Sequence, residues 1–188
     1  MKYLKKLAAA LLAAVMAMSL LTACGGGGGS SNNDGKNDAL AKALGTKWSM
    51  EVQQSDALNN FLTQAVKAAN AEAEKEKDPG KKAEAFNNSM KVARSVLQQG
   101  LEKDERYKDQ CDMLDSFYDV SITTVDGKVK DIDENLEFFD PDAEGEEVNM
   151  NNYKAALMGI STEKATYKDE DDGTQKAHYL VILIVLKK

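Results

Sequence analysis

The sequence predicts an α+β domain, in which an N-terminal helical hairpin packs on a mostly antiparallel sheet with a buried C-terminal strand. Apolar residues recur at helical spacing in the early part of the folded region, and they recur at every second position after it. The chain then ends in the run YLVILIVL at residues 179–186, in which seven of eight residues are aliphatic and four are β-branched. This run is too short for a transmembrane helix and favours a strand. Both of its faces are apolar, which predicts a central strand covered on both sides.

Two apolar stripes at helical spacing predict the hairpin. Ser55 is expected to cap the first helix, and the turn at 78–80 (Asp-Pro-Gly) separates it from the second, which Gly100 is expected to break or bend. The stripes consist of Leu58, Phe61, Leu62, Ala65, Val66, Ala69 and Ala73, and of Phe86, Met90, Ala93, Leu97 and Leu101.

Shorter elements flank this hairpin. A helix over 38–44 is expected to stop at Gly45, and alternation at positions 48, 50 and 52 predicts a strand. After the hairpin, helical spacing continues and predicts a third helical segment. The residues that carry this spacing are Tyr107, Cys111, Leu114 and Tyr118.

The second half of the chain reads mainly as strands and turns. A hairpin is predicted over 120–132, with Asp126-Gly127 as its turn, and a short strand over 136–139. An amphipathic helix is expected over 150–160, capped by Asn149. A last hairpin, 165–168 with 177–186, turns through Asp171-Asp172-Gly173.

The first 24 residues have the three parts of a secretory signal. Lys2, Lys5 and Lys6 form a positive segment, an apolar segment covers 7–18, and small residues follow. The sequence Leu21-Thr22-Ala23-Cys24 resembles the lipobox of bacterial lipoproteins. This resemblance implies that diacylglycerol is attached to Cys24, that residues 1–23 are removed as a signal peptide, and that the mature chain starts at Cys24.

Residues 24–37 are rich in Gly, Ser and Asn and predict a flexible tether behind the lipidated cysteine. A single α+β domain is expected over 38–188, a length that suits one hydrophobic core. The expected location is a bacterial cell membrane, with the domain held by its lipid and facing outwards, at the cell surface or in the periplasm.

The charge of the chain limits its partners. Loss of the three leader lysines lowers the net charge from −7 to −10. An acidic chain without a basic cluster argues against nucleic acid and against electrostatic docking on anionic lipid. The expected partners are therefore the membrane, through the lipid anchor, and an unknown protein, peptide or envelope ligand.

No catalytic motif is recognised, so no catalytic residue and no cofactor are predicted. His178 is the only histidine, and Cys111 is the only cysteine besides Cys24. A Cys–His catalytic pair would need these two side chains together, and one histidine with one thiol is too few for a usual zinc site. Cys111 is interpreted as a buried small apolar side chain, with a reactive thiol and a disulfide between chains as the alternatives.

Calcium is the metal with the most support in the sequence. Asp140, Asp142 and Glu144 alternate ahead of Gly145, as carboxylates do in a calcium-binding loop. The pattern then fails, since Asn151 occupies the position of the bidentate Glu. These three residues are weak calcium candidates, and no metal site is predicted.

These observations favour a non-catalytic binding or interaction domain, anchored by lipid outside the cytoplasm. The alternative is an envelope hydrolase with a carboxylate-based site. Two facing carboxylates in a cleft would distinguish the hydrolase, but the sequence cannot select such a pair from 31 acidic residues.

Overall fold

The computed structural model describes residues 34–105, 107–139, 146–168 and 175–188 and confirms the α+β class. The helices in this part of the chain are α1 (Asp34–Trp48), α2 (Asp56–Lys75), α3 (Lys82–Lys103) and α4 (Val125–Glu134). The strands are β1 (Glu51–Gln54), β2 (Cys111–Asp119), β3 (Glu137–Phe138), β4 (Tyr153–Ile160), β5 (Ala165–Lys168) and β6 (Gln175–Lys187).

The strands form one sheet in the order β1-β4-β6-β2-β3, and β5 pairs with β6 beyond the end of β4. Only the β1–β4 pairing is parallel among those described. Strand β6 lies in the middle of the sheet, because it pairs with β2 on one side and with β4 and β5 on the other.

The prediction of a doubly covered C-terminal strand is confirmed. Ile182 and Leu183 are 1% and 0% exposed, and they lie in two different apolar clusters. Successive side chains of a strand point to opposite faces, so β6 supplies both clusters. We call the cluster between the sheet and the helices α2 and α3 the hairpin core. The cluster between the other face of the sheet and the helices α1 and α4 is called the α1–α4 core.

The helical hairpin is also confirmed. Both predicted stripes are buried in the hairpin core, and Ser55 caps α2 by accepting a hydrogen bond from the backbone N–H of Leu58. Of the two alternatives for Gly100, the break is wrong, because α3 continues through this residue to Lys103.

The elements before the hairpin differ from the prediction. Helix α1 includes residues 34–37, which were assigned to the tether, and it passes through Gly45 to end at Trp48. The backbone N–H of Met50 donates to the carbonyl of Gly45, and a Cβ at position 45 would lie 2.8 Å from the carbonyl oxygen of Met50. Gly45 therefore allows the chain to return close to the helix, and the strand begins only at Glu51.

The predicted third helical segment is wrong, because Cys111 to Asp119 form β2. Met113 lies in the hairpin core and the adjacent Leu114 in the α1–α4 core. A strand covered on both faces has no alternation of apolar and polar residues. Cys111, Leu114 and Tyr118 of this strand nevertheless lie three and four residues apart, which matches the helical period.

Two further elements were assigned to the wrong class. The predicted hairpin over 120–132 contains α4 instead, which Thr124 caps by accepting from the N–H of Gly127. The predicted helix over 150–160 is strand β4, preceded by a short 3-10 turn that Asn149 caps as expected. The short strand near Phe138 and the last hairpin are confirmed as β3, β5 and β6, while the turn at 171–173 lies outside the described residues.

Candidate functional site

A cleft opens at one end of the sheet, where β2 and β4 begin and β3 and β6 end. We call it the β2 cleft. The last turns of α3 and the turn at 107–110 complete its walls, and its volume is about 630 Å³. Strand pairing brings these segments together, because Cys111 lies opposite Leu186 and Tyr153 opposite Lys187.

Three polar side chains from three strands meet in the β2 cleft. The hydroxyl of Tyr153 donates to Oδ2 of Asp112 over 2.8 Å, and Nζ of Lys187 lies 2.8 Å from Oδ1 of the same carboxylate. Both oxygens of Asp112 are therefore engaged, and this cluster joins β2, β4 and β6 at the end of the sheet.

The pKa values of Tyr153 and Lys187 are raised in this cluster. Burial, and then the hydrogen bond to Asp112, raise the pKa of the Tyr153 hydroxyl. The pKa of Lys187 is raised chiefly by its hydrogen bond to Asp112, while burial opposes this shift. At neutral pH Tyr153 therefore keeps its proton and Lys187 its positive charge.

Cys111 lines the same cleft but is a poor nucleophile. Its side chain is half-buried and donates to the carbonyl of Tyr107 over 3.3 Å. Burial, followed by the negative charge of Asp112, raises the pKa of the thiol to about 11. Since the thiolate is the reactive species, this thiol is largely inert at neutral pH.

The rest of the lining combines apolar and acidic groups. Leu101, Tyr107, Met113, Phe138 and Phe139 supply apolar and aromatic surface. The exposed side chains of Glu102, Asp109 and Glu146 stand at the opening together with Lys108. With the paired Asp112 and Lys187 included, the described lining residues carry two more negative than positive charges.

An internal ion pair lies behind one wall of the cleft. Nε of Arg94 in α3 lies 2.8 Å from Oδ2 of Asp115 in β2, and the Arg94 guanidinium stands 6.0 Å above the centre of the Phe139 ring. Burial raises the pKa of Asp115 to about 6, with Arg94 opposing the shift and Glu137 adding to it. This pair was not predicted from the sequence, because Asp115 lies in a strand whose apolar spacing predicted a helix.

A second, more open groove of about 760 Å³ runs between α1 and β1. Its lining includes the exposed side chains of Asp38, Lys42 and Glu51 and the partly buried side chain of Gln53. Gln53 donates a hydrogen bond to Glu51 in this groove, but no ion pair like that of the β2 cleft joins its described lining residues.

His178 and Cys111 lie far apart. His178 pairs with Asp119 at one end of β2, and Cys111 lies eight residues away at the other end. At the rise of a strand this separation is about 27 Å, so the two side chains cannot form a catalytic pair. His178 is buried, and its ring meets Phe117 edge-on at 4.7 Å between ring centres.

The lipidation site and the calcium candidates of the sequence are not among the residues that the structure describes. Cys24 and the weak calcium candidates Asp140, Asp142 and Glu144 lie outside the described residues. Within the described residues, His, Cys, Asp and Glu side chains form no group of three or more that could hold a metal ion.

None of the described helices has the length and apolar character that are needed to cross a membrane. Comparisons with protein-family models, with curated proteins and with solved structures gave no match to this chain.

Proposed function

We propose that this protein is a lipid-anchored binding protein outside the cytoplasm, which holds a ligand in the β2 cleft without chemically changing it. The observation that carries the proposal is the cleft itself. Its volume of about 630 Å³ falls in the range of ligand sites, and its mixed lining of apolar surface with a few placed polar groups is typical of them. The signal sequence with the lipobox at Cys24 supports the anchoring.

The chemistry of the lining supports binding over catalysis. The Cys111 thiol, with a pKa of about 11, stays protonated at neutral pH. Tyr153 is held by Asp112, and the Asp112 carboxylate is held in turn by Lys187. A carboxylate-based hydrolase would need two facing carboxyl groups. Asp115, whose raised pKa would suit an acid catalyst, is covered by Arg94 and does not line the cleft.

The direction of α1 supports a ligand that arrives from the side away from the membrane. Ser49, with φ of 54°, turns the chain sharply between α1 and β1. Asp38 and Gln54 line the same groove, so α1 runs antiparallel to β1 and begins near the end of the sheet where β1 finishes.

The β2 cleft lies at the opposite end of the sheet. Glu51 at the start of β1 pairs with Ala155, and Ala155 pairs with Leu186, which lies opposite Cys111. Cys24 precedes the start of α1 by ten positions. A lipid on Cys24 would therefore hold the domain by the end remote from the cleft.

The anchoring is tested with Cys24→Ala in the full-length chain. We expect the wild-type protein in the membrane fraction, and the variant either in the soluble fraction or as an unprocessed precursor. Cys111→Ala is the matched control, since it removes the other cysteine and should leave the protein in the membrane fraction. A wild-type N-terminal peptide without lipid, observed by mass spectrometry, would contradict the proposal.

A further inference from the structure

We infer that the β2 cleft binds an organic cation, meaning an alkylammonium or guanidinium group carried on an apolar body. The inference deepens the proposed function and rests on it in one respect, namely that the cleft is a ligand site. It does not depend on the lipid.

The apolar part of the ligand is inferred from the floor of the cleft. Leu101, Tyr107 and Met113 are each less than a tenth exposed, and Phe138 and Phe139 are partly buried beside them. Most of the protein surface that an apolar ligand body would remove from water here belongs to Phe138 and Phe139, because the other three side chains expose little. Removal of apolar surface from water is the main favourable term in such binding.

The charge of the ligand is inferred from the charged side chains of the lining that are left to contact a ligand. Lys187 is held by the Asp112 carboxylate, and Asp109 adds a second negative charge that acts on it. Lys108 is then the one further described cation in the lining, against the exposed acids Glu102, Asp109 and Glu146. An anionic ligand would meet this excess of negative charge, whereas a cation would be attracted by it.

The aromatic side chains give a cation a second kind of contact. Phe138 and Phe139 line the cleft and are partly exposed, and aromatic ring faces attract alkylammonium and guanidinium groups. The ring of Phe139 already has a cation over one face, because the Arg94 guanidinium lies 6.0 Å from the ring centre. Aromatic rings combined with carboxylates distinguish an organic cation from a metal ion, which would need converging oxygen ligands.

Such a cation has two possible sources, a Lys or Arg side chain of a peptide or a free amine. Calorimetric titration of the purified full-length protein in detergent separates them. The peptide probes are acetyl-Leu-Lys-Leu-amide and acetyl-Leu-Arg-Leu-amide, the free amine is 1,6-hexanediamine, and acetyl-Leu-Glu-Leu-amide is the anionic control. We expect at least one cationic probe to bind more tightly than the anionic control, and the affinity to fall as salt is added.

The site is tested with a triple variant of the opening, Glu102→Gln, Asp109→Asn and Glu146→Gln. Asn tolerates the left-handed backbone of position 109, where φ is 61°. The matched control is Glu74→Gln, Glu84→Gln and Asp126→Asn, which removes the same charge from exposed positions outside the cleft. The cleft variant should bind the cationic probe about tenfold more weakly, and the control should bind within about twofold of wild type.

Phe139→Leu tests the aromatic contact. It should lower the affinity for the cationic probes about two- to fivefold. The melting temperature of each variant is measured first, so that a loss of binding is compared only between folded proteins. The inference is overturned if no cationic probe binds, if the anionic peptide binds more tightly, or if the cleft and control variants bind equally. These outcomes leave membrane anchoring unaffected, because anchoring is scored by fractionation and mass spectrometry.

Discussion

The Arg94 guanidinium and the Asp115 carboxylate form an ion pair, 2.8 Å apart, between helix α3 and the sheet. Their side chains are 23% and 16% exposed. The pair is close but poorly aligned, since neither Nε of Arg94 nor Oδ1 of Asp115 has a hydrogen-bond partner among the described residues. Incomplete compensation of a buried carboxylate raises its pKa, which makes the stability of the fold depend on pH.

The first prediction concerns Asp115→Asn. Burial raises the pKa of Asp115 from 3.8 to about 6, so the folded protein binds this proton more tightly than the unfolded chain does. The contribution that the protonated carboxyl of Asp115 makes to the stability of the fold is therefore fully present below about pH 4, and it is lost as the pH rises through about 6. The free energy of unfolding of wild type minus that of the variant should fall across this range, by up to about 3 kcal/mol.

Urea unfolding of both proteins from about pH 4 to about pH 8 measures this difference. Glu137 lies opposite Asp115 in the sheet and contributes to its raised pKa. Glu137→Gln should therefore move the fall to lower pH. A difference between wild type and Asp115→Asn that stays constant with pH would contradict the assignment.

The second prediction concerns the contact between α2 and β4. A Cβ on Gly159 would lie 2.5 Å from Cβ of Leu58 and 2.9 Å from its carbonyl carbon. A rigid backbone atom cannot move aside as the end of a side chain can. We expect Gly159→Ala to lower the free energy of unfolding by about 1–3 kcal/mol.

Gly80→Ala is the matched control for this substitution. The nearest atom to a Cβ at position 80 is 3.5 Å away, an ordinary contact distance. The alanine restricts the unfolded chain and should leave stability unchanged or raise it by about 0.4–1 kcal/mol. Equal stabilities of the two variants, measured by chemical denaturation, would show that α2 can move away from β4 at little cost.

The two long helices α2 and α3 and the strand β6 were predicted correctly, whereas the short helix α4 was predicted as a hairpin because of its Asp126-Gly127 pair. Helices α2 and α3 bury one stripe each, so their period of 3.6 is visible, and β6 is so uniformly aliphatic that its double coverage is evident. Strands β2 and β4 were predicted as helices. Both are covered on two faces and still contain polar or small residues, such as Asp115 and Gly159, which hide the period of the strand.

The β2 cleft could not be predicted because its walls come from segments far apart in the chain. Asp112 meets Tyr153 and Lys187 only through the pairing of β2 and β4 with β6. Leu101, Tyr107 and Cys111 line this cleft, but their spacing predicted only apolar positions of helices. The sequence carried no signal for the register that brings Asp112 to the same place.

The third prediction concerns the reactivity of Cys111, measured in protein with Cys24→Ala so that a single thiol is counted. A pKa of about 11 leaves roughly a thousandth of the thiol ionised at about pH 8. Alkylation by iodoacetamide should therefore be about a hundredfold slower in the folded protein than in urea. Asp112 raises the pKa and Lys187 lowers it, so Asp112→Asn should speed the reaction and Lys187→Met should slow it. The same rate in both variants would exclude this electrostatic control.

The fourth prediction concerns the two faces of β6. Ile182 lies in the hairpin core and Leu183 in the α1–α4 core, and both are almost fully buried. Aspartate at either position would place a charge without a partner in an apolar cluster, at a cost of several kcal/mol. This cost is comparable with the stability of a whole domain, so Ile182→Asp and Leu183→Asp should both unfold or aggregate.

The control is Lys154→Asp, at an exposed position of the neighbouring strand β4, which should melt within a few degrees of wild type. Thermal unfolding followed by circular dichroism compares the three variants. If only one of the two β6 variants were destabilised, the strand would have one open face in solution. A charge is tolerated only where water can reach it, so helices could not cover that face of β6. In that case either α1 with α4 or the α2–α3 hairpin would not pack on the sheet as described.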